Sequence, residues 1–421
     1  MMFLYYPLIL ISILGYGFFT SKKLIKINTN DFGYLGIVGI FFLLIISYIS
    51  IQFIPHNLIF NSVTLIIGIV LFIYNFNQFK PKVGDTKLLL SILILSLVFI
   101  LVGKNHDDFH YYHFPYIIML TDYPHPLGLG NLNHGFKTHS SILLLSSLFH
   151  LPGAKYNLFN LAPTYILVFS NFILLKLILK KEIIENSTFI TFLGLAAFIF
   201  INIFFYRLGE HGTDRSAMIL IILLFVNLLF FINNNTKLID ENLLKLLIII
   251  FAIIISLKAF YLIYSLLFLP LIIYVFKKKS LKLFFNFNLF LCLIFFILVI
   301  ATNFFNTGCL LFPEKTTCFF DLSWSLSMET VDYLRLHYEN WAKAGSGAGY
   351  ENLIDKFEYI HDFNWFNNWI EKYFFNKVSD FILSLFFIAS TFLLLFKRSK
   401  LSIKRERTYL SLYLIIIFIF A

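Results

Sequence analysis

The stretch FGYLGIVGIFFLLIISYISIQFI, residues 32–54, contains no charged side chain. A helix that crosses the hydrocarbon core of a bilayer needs about 20 apolar residues in succession. Soluble domains are about 45–50% apolar and about 25% charged, whereas this chain of 421 residues is 59% hydrophobic and 13% charged. This composition excludes a soluble enzyme, a disordered scaffold and a disulfide-rich secreted module. The sequence therefore predicts a polytopic integral membrane protein.

Similar apolar runs recur along the chain and predict an all-α bundle of about 12 transmembrane helices with two long extracytoplasmic loops. Residues 243–276 are open to a second interpretation, as one long tilted helix that Lys258 interrupts. The last run reaches Ala421 without a polar flank, so we expect the natural protein to continue beyond it. The predicted spans cover residues 2–20, 32–54, 58–79, 88–103, 157–179, 187–206, 216–233, 243–257, 259–276, 283–301, 379–396 and 408–421.

The long loops divide the chain into five predicted regions. In the first loop, residues 139–150 bring His139, Ser146 and His150 to one side of a helix, a pattern that favours a helix in the membrane interface. The regions are N-terminal transmembrane helices (1–103), a first periplasmic loop with an acid motif and this interfacial helix (104–156), a transmembrane core (157–301), a second periplasmic loop (302–378) and C-terminal transmembrane helices that we expect to be truncated (379–421).

Lysine and arginine are distributed unequally between the two sets of connections. One set carries 21 of the 33 basic residues and 7 of the 23 acidic ones, which predicts the cytoplasmic face. All 11 histidines and all 4 tryptophans lie on the other side, so we expect the chemistry on the outer face. Because the basic residues punctuate apolar runs, the formal charge of +10 does not indicate nucleic acid. The Ile, Lys, Phe and Asn bias is typical of an AT-rich bacterial genome and predicts a multi-pass protein of the bacterial inner (cytoplasmic) membrane with a periplasmic active site.

The first outer loop begins with the acid pair Asp107-Asp108, followed by His110, Tyr112 and His113. Adjacent carboxylates at a membrane surface are expected to have shifted pKa values. A carboxylate at this position can act as a general base on a sugar hydroxyl. The alternative is a solvated interfacial turn without catalytic function.

Histidines with i, i+4, i+7 spacing accompany this pair, and the spacing would bring His106, His110 and His113 to one helical face. Such a face can bind a divalent metal ion, with His106, His110 and Asp108 as candidate ligands. The same side chains can instead donate hydrogen bonds to a phosphate or a sugar. A divalent metal ion is therefore one alternative, and a site without a cofactor is the other.

Two further outer turns carry charged residues. Asp214 and Arg215 open a span, where Asp214 either completes an active site or caps the helix. Lys258 either holds a phosphate or extends to the interface. In the second outer loop, Cys309 and Cys318 are candidates for a disulfide in an oxidising compartment, with two free thiols as the alternative. The aromatic residues of that loop suit stacking on sugar rings or an interfacial belt.

Several short motifs recur along the outer loops: Asp107-Asp108, Tyr112-His113, the turn Gly128-Leu129-Gly130-Asn131-Leu132, Ser140-Ser141, Thr307-Gly308-Cys309 to Pro313, and Cys318 to Trp324. These motifs resemble the GT-C superfamily of membrane glycosyltransferases, most closely its bacterial members of uncharacterised specificity. The resemblance covers residues 88–345. The chain departs from the family pattern in its extra N-terminal spans and in Thr138-His139, where Asn is expected before the serines.

The resemblance implies an inverting transfer from a polyprenyl-phosphate-linked sugar to a glycan or lipid acceptor. Asp107 would be the base, Asp108 its helper or a metal ligand, and Asp214 a second acid that orients the acceptor. Arg215 and Lys258 would neutralise the departing phosphate. We also predict that His110, Tyr112, His113, Asn131 and His139 bind substrate.

Other functions remain open at this point. A transporter or flippase for lipid-linked saccharides would carry ionisable groups or broken helices near the middle of its spans, whereas this chain concentrates such groups at the outer ends. A glycan polymerase or ligase would share the outer loops and the lipid-linked substrate. The partners expected in every case are a lipid-linked sugar and the bilayer, without nucleic acid.

Overall fold

The computed structural model describes residues 1–79, 81–101, 108–154, 156–179, 188–204, 213–234, 240–277, 286–347 and 355–374. In these ranges the chain is helical and forms no β-strand, although an isolated bridge pairs Cys309 with Cys318. The predicted all-α class is therefore confirmed for the part of the chain that is described.

The helices are numbered α1 to α15 in chain order. They are α1 Met2–Phe19, α2 Phe32–Ser50, α3 Leu58–Phe79, α4 Val83–Leu101, α5 Phe114–Asp122, α6 Ser141–Ser147, α7 Leu161–Leu179, α8 Thr188–Phe204, α9 Thr213–Asn234, α10 Glu241–Leu257, α11 Leu269–Lys277, α12 Phe287–Thr307, α13 Met328–Ala342, α14 Lys356–Ile360 and α15 Phe366–Asn368. Turns of π-helix cover Thr20–Leu24, Phe109–His113 and Trp369–Phe374, and the longest 3-10 helix covers Ala259–Phe268.

Among the described residues, 7 helices are long and apolar enough to cross a membrane. They involve α1 to α4, α7, α9 and α12, and each coincides with a predicted span. The predicted spans 187–206, 243–257 and 259–276 coincide with shorter helical segments, namely α8, α10, and the 3-10 helix continued by α11. The predicted spans 379–396 and 408–421 lie outside the described residues. The apolar helices support the expected membrane protein.

Polar residues determine where several helices begin and end. Asp31 caps α2 by accepting hydrogen bonds from the backbone amides of Gly33 and Tyr34, and Asp240 caps α10 in the same way. Lys258 has an extended backbone, with φ −157° and ψ 118°, and it ends α10. Because a 3-10 helix starts directly after it, residues 243–276 form two segments and not one continuous α-helix.

Glycines allow the backbones of α1, α2 and α3 to approach closely. A β-carbon on Gly39 would overlap the carbonyl oxygen of Ile13, and one on Gly15 would overlap that of Gly68. Small residues at helix contacts are the usual means of close packing in membranes. The first three helices therefore depend on residues without side chains where they cross.

The structure corrects the expectation of an interfacial helix in residues 139–150. Helix α6 is only seven residues long and is buried on every side. Its serines find partners inside the protein, since Ser146 donates to the carbonyl of Phe159 and Ser147 contacts the ring of His56. A helix that is enclosed all round belongs to the protein interior and not to the membrane surface.

The chain divides into two compact units. Among the described residues, the first comprises those of 1–125 and 139–299, and the second comprises those of 126–138 and 300–374. In the second unit a small core forms around the buried residues Cys309, Leu326 and Val331. The turn 126–138, which belongs to the predicted first outer loop, is thus grouped with the predicted second outer loop.

Candidate functional site

The acid motif lies directly before a turn of π-helix. Asp107 and His106 are outside the described residues, whereas Asp108 precedes the π-helical turn Phe109–His113, which continues into α5. The hydroxyl of Tyr112 donates to Oδ2 of Asp108 over 3.4 Å. Short π-helical turns inside helices are frequent at functional sites. The acid motif is therefore followed by a backbone conformation that is uncommon in proteins, and this turn carries several polar side chains.

This wide turn changes which histidines share a face. His110 is exposed, while His113 is buried with 4% of its surface exposed. The expectation of a common helical face for these two residues is therefore wrong, because a π-turn does not keep the register of an α-helix. Among the described residues no group of three or more His, Cys, Asp or Glu side chains is arranged to hold a metal ion. The proposed ligand His106 lies outside them.

His139 is held between two tyrosines. Its Nε2 lies 2.8 Å from the hydroxyl of Tyr48 and its Nδ1 lies 3.2 Å from that of Tyr116. Burial lowers the pKa of His139 to about 3, with a further contribution from His125. The ring is therefore neutral at pH 7 and, with one donor and one acceptor nitrogen, can satisfy both hydroxyls. The arrangement makes His139 a positioning residue for α5, because Tyr116 lies in that helix.

Another buried histidine, His56, was not identified from the sequence. Its Nδ1 lies 2.6 Å from Oγ of Ser147 and its Nε2 lies 2.9 Å from Oγ of Ser50. Burial lowers the pKa of His56 to about 3. The side chain of Asn61 donates to the carbonyl of Ser147 over 2.8 Å. The one available signal was a histidine between two spans, and the sequence does not show that one of its partners, Ser147, lies in a later loop.

Asp214 and Lys258 form an ion pair. Asp214 lies in the first turn of α9, and Lys258 follows the last residue of α10. About half of each side chain is exposed, with values of 48% for Asp214 and 46% for Lys258. Arg215, the next residue, is partly buried in the same turn of α9. An acid and two cations thus occur at adjoining helix ends.

The contacts of the first unit agree with the predicted sidedness. The Nζ of Lys176 lies 2.9 Å from Asp85 and 3.4 Å from Asp31, and all three residues belong to the predicted cytoplasmic set. Asp214 and Lys258 both belong to the predicted outer set. Residues that the charge pattern assigns to one face therefore pair with each other.

In the second unit the glycine-rich turn 128–132 packs on the turn that ends at Trp324. Gly128 has a left-handed backbone with φ 74°, and its amide donates to the carbonyl of Phe305 over 2.7 Å. The side chain of Asn131 donates to the carbonyl of Trp324 over 2.8 Å. Asn131 thus stabilises the contact between two motifs on which the family resemblance rests.

Cys309 and Cys318, the candidate disulfide pair, are bonded in the structure. Their loop also contains an ion pair of 2.6 Å between Lys315 and Asp332. Cys292 is a free, buried thiol in α12. Replacing Cys292 would therefore allow a thiol introduced elsewhere to be labelled specifically.

A protein-family model described as a domain of unknown function, DUF8201, matches residues 1–421. No curated protein and no solved structure matches the chain.

Proposed function

The chain belongs to the DUF8201 family, and we propose that it is a membrane glycosyltransferase. It moves a sugar from a polyprenyl-phosphate-linked donor to a glycan or lipid acceptor on the periplasmic face of the inner membrane. The observation that carries this proposal is the π-helical turn Phe109–His113 beside the acid motif, with Tyr112 hydrogen-bonded to Asp108. Short π-helical turns are frequent at functional sites, and this one carries the polar side chains that follow the acid motif.

The reaction is an inverting displacement. The acceptor hydroxyl oxygen attacks the anomeric carbon, the bond from that carbon to the phosphate oxygen breaks, and polyprenyl phosphate leaves with the electron pair. Asp107 takes the proton of the acceptor hydroxyl as general base. Asp108 assists it, and the hydroxyl of Tyr112 orients the Asp108 carboxylate.

The leaving phosphate needs cations, because negative charge accumulates on it as the bond breaks. Lys258 and Arg215 supply them. Asp214 holds the ammonium group of Lys258, whose side chain is about half exposed, so a phosphate can approach it. The exposed His110 and the half-buried Tyr112 bind substrate, whereas His113 supports the turn from its buried side. His139 positions α5 through Tyr116.

The test is complementation of cells that lack the protein, with surface glycans analysed by mass spectrometry. Wild type should restore a missing sugar, whereas Asp107→Asn and Asp108→Asn should not. The matched control is Asp240→Asn at the opposite end of α10 from Lys258, because asparagine also caps helices well. Immunoblots establish that all variants reach the membrane in equal amounts. Full restoration by Asp107→Asn would refute the assigned base, and shortened glycans of unchanged composition would favour a polymerase.

A further inference from the structure

Residues 355–374, DKFEYIHDFNWFNNWIEKYF, form an aromatic segment in the second unit. Several of its large apolar side chains point away from the protein: Phe357 is 65% exposed, Phe363 75% and Phe366 47%. Soluble surfaces rarely expose contiguous apolar patches of this kind, and such patches mark sites of interaction. The question is which partner covers them.

The inner side of the aromatic segment is fixed to the end of α13. The hydroxyl of Tyr359 donates to the carbonyl of Lys343 over 2.7 Å, and the side chain of Asn368 donates to that of Ala344 over 3.0 Å. The Nζ of Lys343 donates in turn to the carbonyl of Ile360 over 3.1 Å. The backbone that carries the exposed rings is therefore fixed by hydrogen bonds to the end of α13.

The turn that carries Phe363 is strained. Asp362 and Phe363 have φ values of 50° and 59°, in the left-handed region. This conformation is unfavourable for residues other than glycine. Phe363 thus combines an unfavourable backbone with a ring that is exposed to the surroundings. Backbone strain of this kind is found mainly at functional sites. A contact between the Phe363 ring and an apolar partner outside the chain would be such a function.

The aromatic segment has the composition of a membrane interface. The rings of Trp365, Trp369 and Tyr373 follow one another, with centroids 6.2 Å and then 5.8 Å apart. Tryptophan and tyrosine are enriched at the headgroup level of bilayers. The predicted span 379–396, outside the described residues, begins five positions after Phe374. At about 3.5 Å per residue, the end of the segment lies within about 18 Å of that span.

Charge distinguishes between kinds of membrane attachment. The aromatic segment contains four acidic residues and two lysines, so attraction to anionic lipids does not drive its contact with a membrane. We propose that the aromatic segment docks into the headgroup boundary of the outer leaflet through Phe357, Phe363, Trp365 and Phe366. This surface is independent of the transferase proposal and would serve any activity of the second unit.

A depth measurement tests this docking on the full chain. Phe363→Cys is made in a Cys292→Ser background, which leaves the Cys309–Cys318 disulfide as the other sulfur pair. The single thiol is labelled with an environment-sensitive fluorophore, and the protein is reconstituted in phosphatidylcholine nanodiscs. Glu329→Cys, at an exposed position in the first turn of α13, is the matched control. Phe366→Cys provides a second reporter if the first variant does not elute as a monodisperse protein.

Doxyl-labelled lipid should quench the label at residue 363 several-fold more strongly than acrylamide does, with the reverse order at residue 329. Addition of anionic lipid should leave the pattern unchanged. Equal access of acrylamide to both positions would overturn the proposal, since the segment would then face water. Protection of residue 363 from both quenchers would also overturn it, because the segment would then be covered by a second copy of the chain.

Discussion

The ammonium group of Lys258 pairs with the carboxylate of Asp214, which joins the end of α10 to the beginning of α9. Both side chains are about half exposed, and exposed ion pairs of this kind contribute about 0–1 kcal/mol to stability. The pair therefore has little value as a structural bond. Its position at a helix end that is predicted to be outer suits the proposed neutralisation of a phosphate.

We expect Lys258→Met to abolish sugar transfer while lowering the free energy of unfolding by less than about 1 kcal/mol. The reason is that the variant removes a cation from the leaving phosphate but only a weak contact from the fold. Glycan recovery in complemented cells and thermal unfolding in detergent measure the two effects. Lys315→Met, which breaks the pair with Asp332, is the control and should leave the glycan unchanged.

Exchanging the charges of Asp214 and Lys258 distinguishes a structural role of this ion pair from a role in the reaction. In the double variant Asp214→Lys, Lys258→Asp the ion pair can form again with reversed polarity. The proposal predicts no recovery of transfer, since the cation and the acid have changed places. Recovery to the level of wild type would mean that the pair matters only for the fold.

The pairing of Lys176 should matter more for stability than for activity. This ammonium group is shared by Asp85 and Asp31, whose side chains are only 20% and 17% exposed. Lys176→Met leaves two largely buried carboxylates without their cation, at a cost of about 1.5–3 kcal/mol. A lower melting temperature in detergent would agree with this, and Lys315→Met again serves as the exposed comparison. An unchanged melting temperature would show that the carboxylates are well solvated.

Close packing of α1 and α2 depends on Gly39. Because a β-carbon there would overlap the carbonyl of Ile13, Gly39→Val should destabilise the protein by about 1–3 kcal/mol or more. Gly84, which has open space around it, supplies the control variant Gly84→Ala. Thermal unfolding compares the two. Equal melting temperatures for both variants would contradict the crossing described for these helices.

Buried histidines predict a loss of stability in acid. The pKa of His56 is about 3 in the folded protein and about 6.5 when unfolded. Between these values the unfolded state binds the extra proton, so stability is complete above pH 6.5 and falls as the pH decreases toward 3. At pH 5 His56 alone costs about 2 kcal/mol.

His56→Gln should therefore flatten the dependence of melting temperature on pH between 7 and 5, even though it lowers the melting temperature at pH 7. The exposed His361 provides the control His361→Gln, which should retain the slope of wild type. An identical slope in all three proteins would show that His56 does not control acid stability. His139, whose pKa is also lowered by burial, should contribute to the same fall.

Apolar runs were sufficient to predict the helical class and the positions of the membrane-length helices. They did not reveal the burial of α6, because a short helix in the interior and an amphipathic helix at an interface share similar residues. The sequence did not predict that His110 and His113 lie on different faces, for another reason. Their spacing assumes α-helical geometry, and the π-turn is not apparent from the residues themselves.

The partners of His139 illustrate the limit for the candidate site. His139 is predicted to bind substrate, yet its ring nitrogens contact Tyr48 in α2 and Tyr116 in α5. Such contacts depend on how distant segments pack, which no local pattern encodes. The ion pair between Asp214 and Lys258 was closer to prediction, since both residues were assigned to the same outer face.

Transfer itself is tested most directly in detergent-solubilised membranes from cells that lack the protein. These membranes should contain the unused polyprenyl-phosphate sugar together with its acceptor, and mass spectrometry of the lipid fraction follows the donor. We expect purified wild type to discharge the donor and release polyprenyl phosphate, and Asp107→Asn not to do so. A flippase has no effect once the membrane is dissolved. Failure of wild type to discharge any lipid-linked sugar, or equal discharge by Asp107→Asn, would contradict the proposed transferase mechanism.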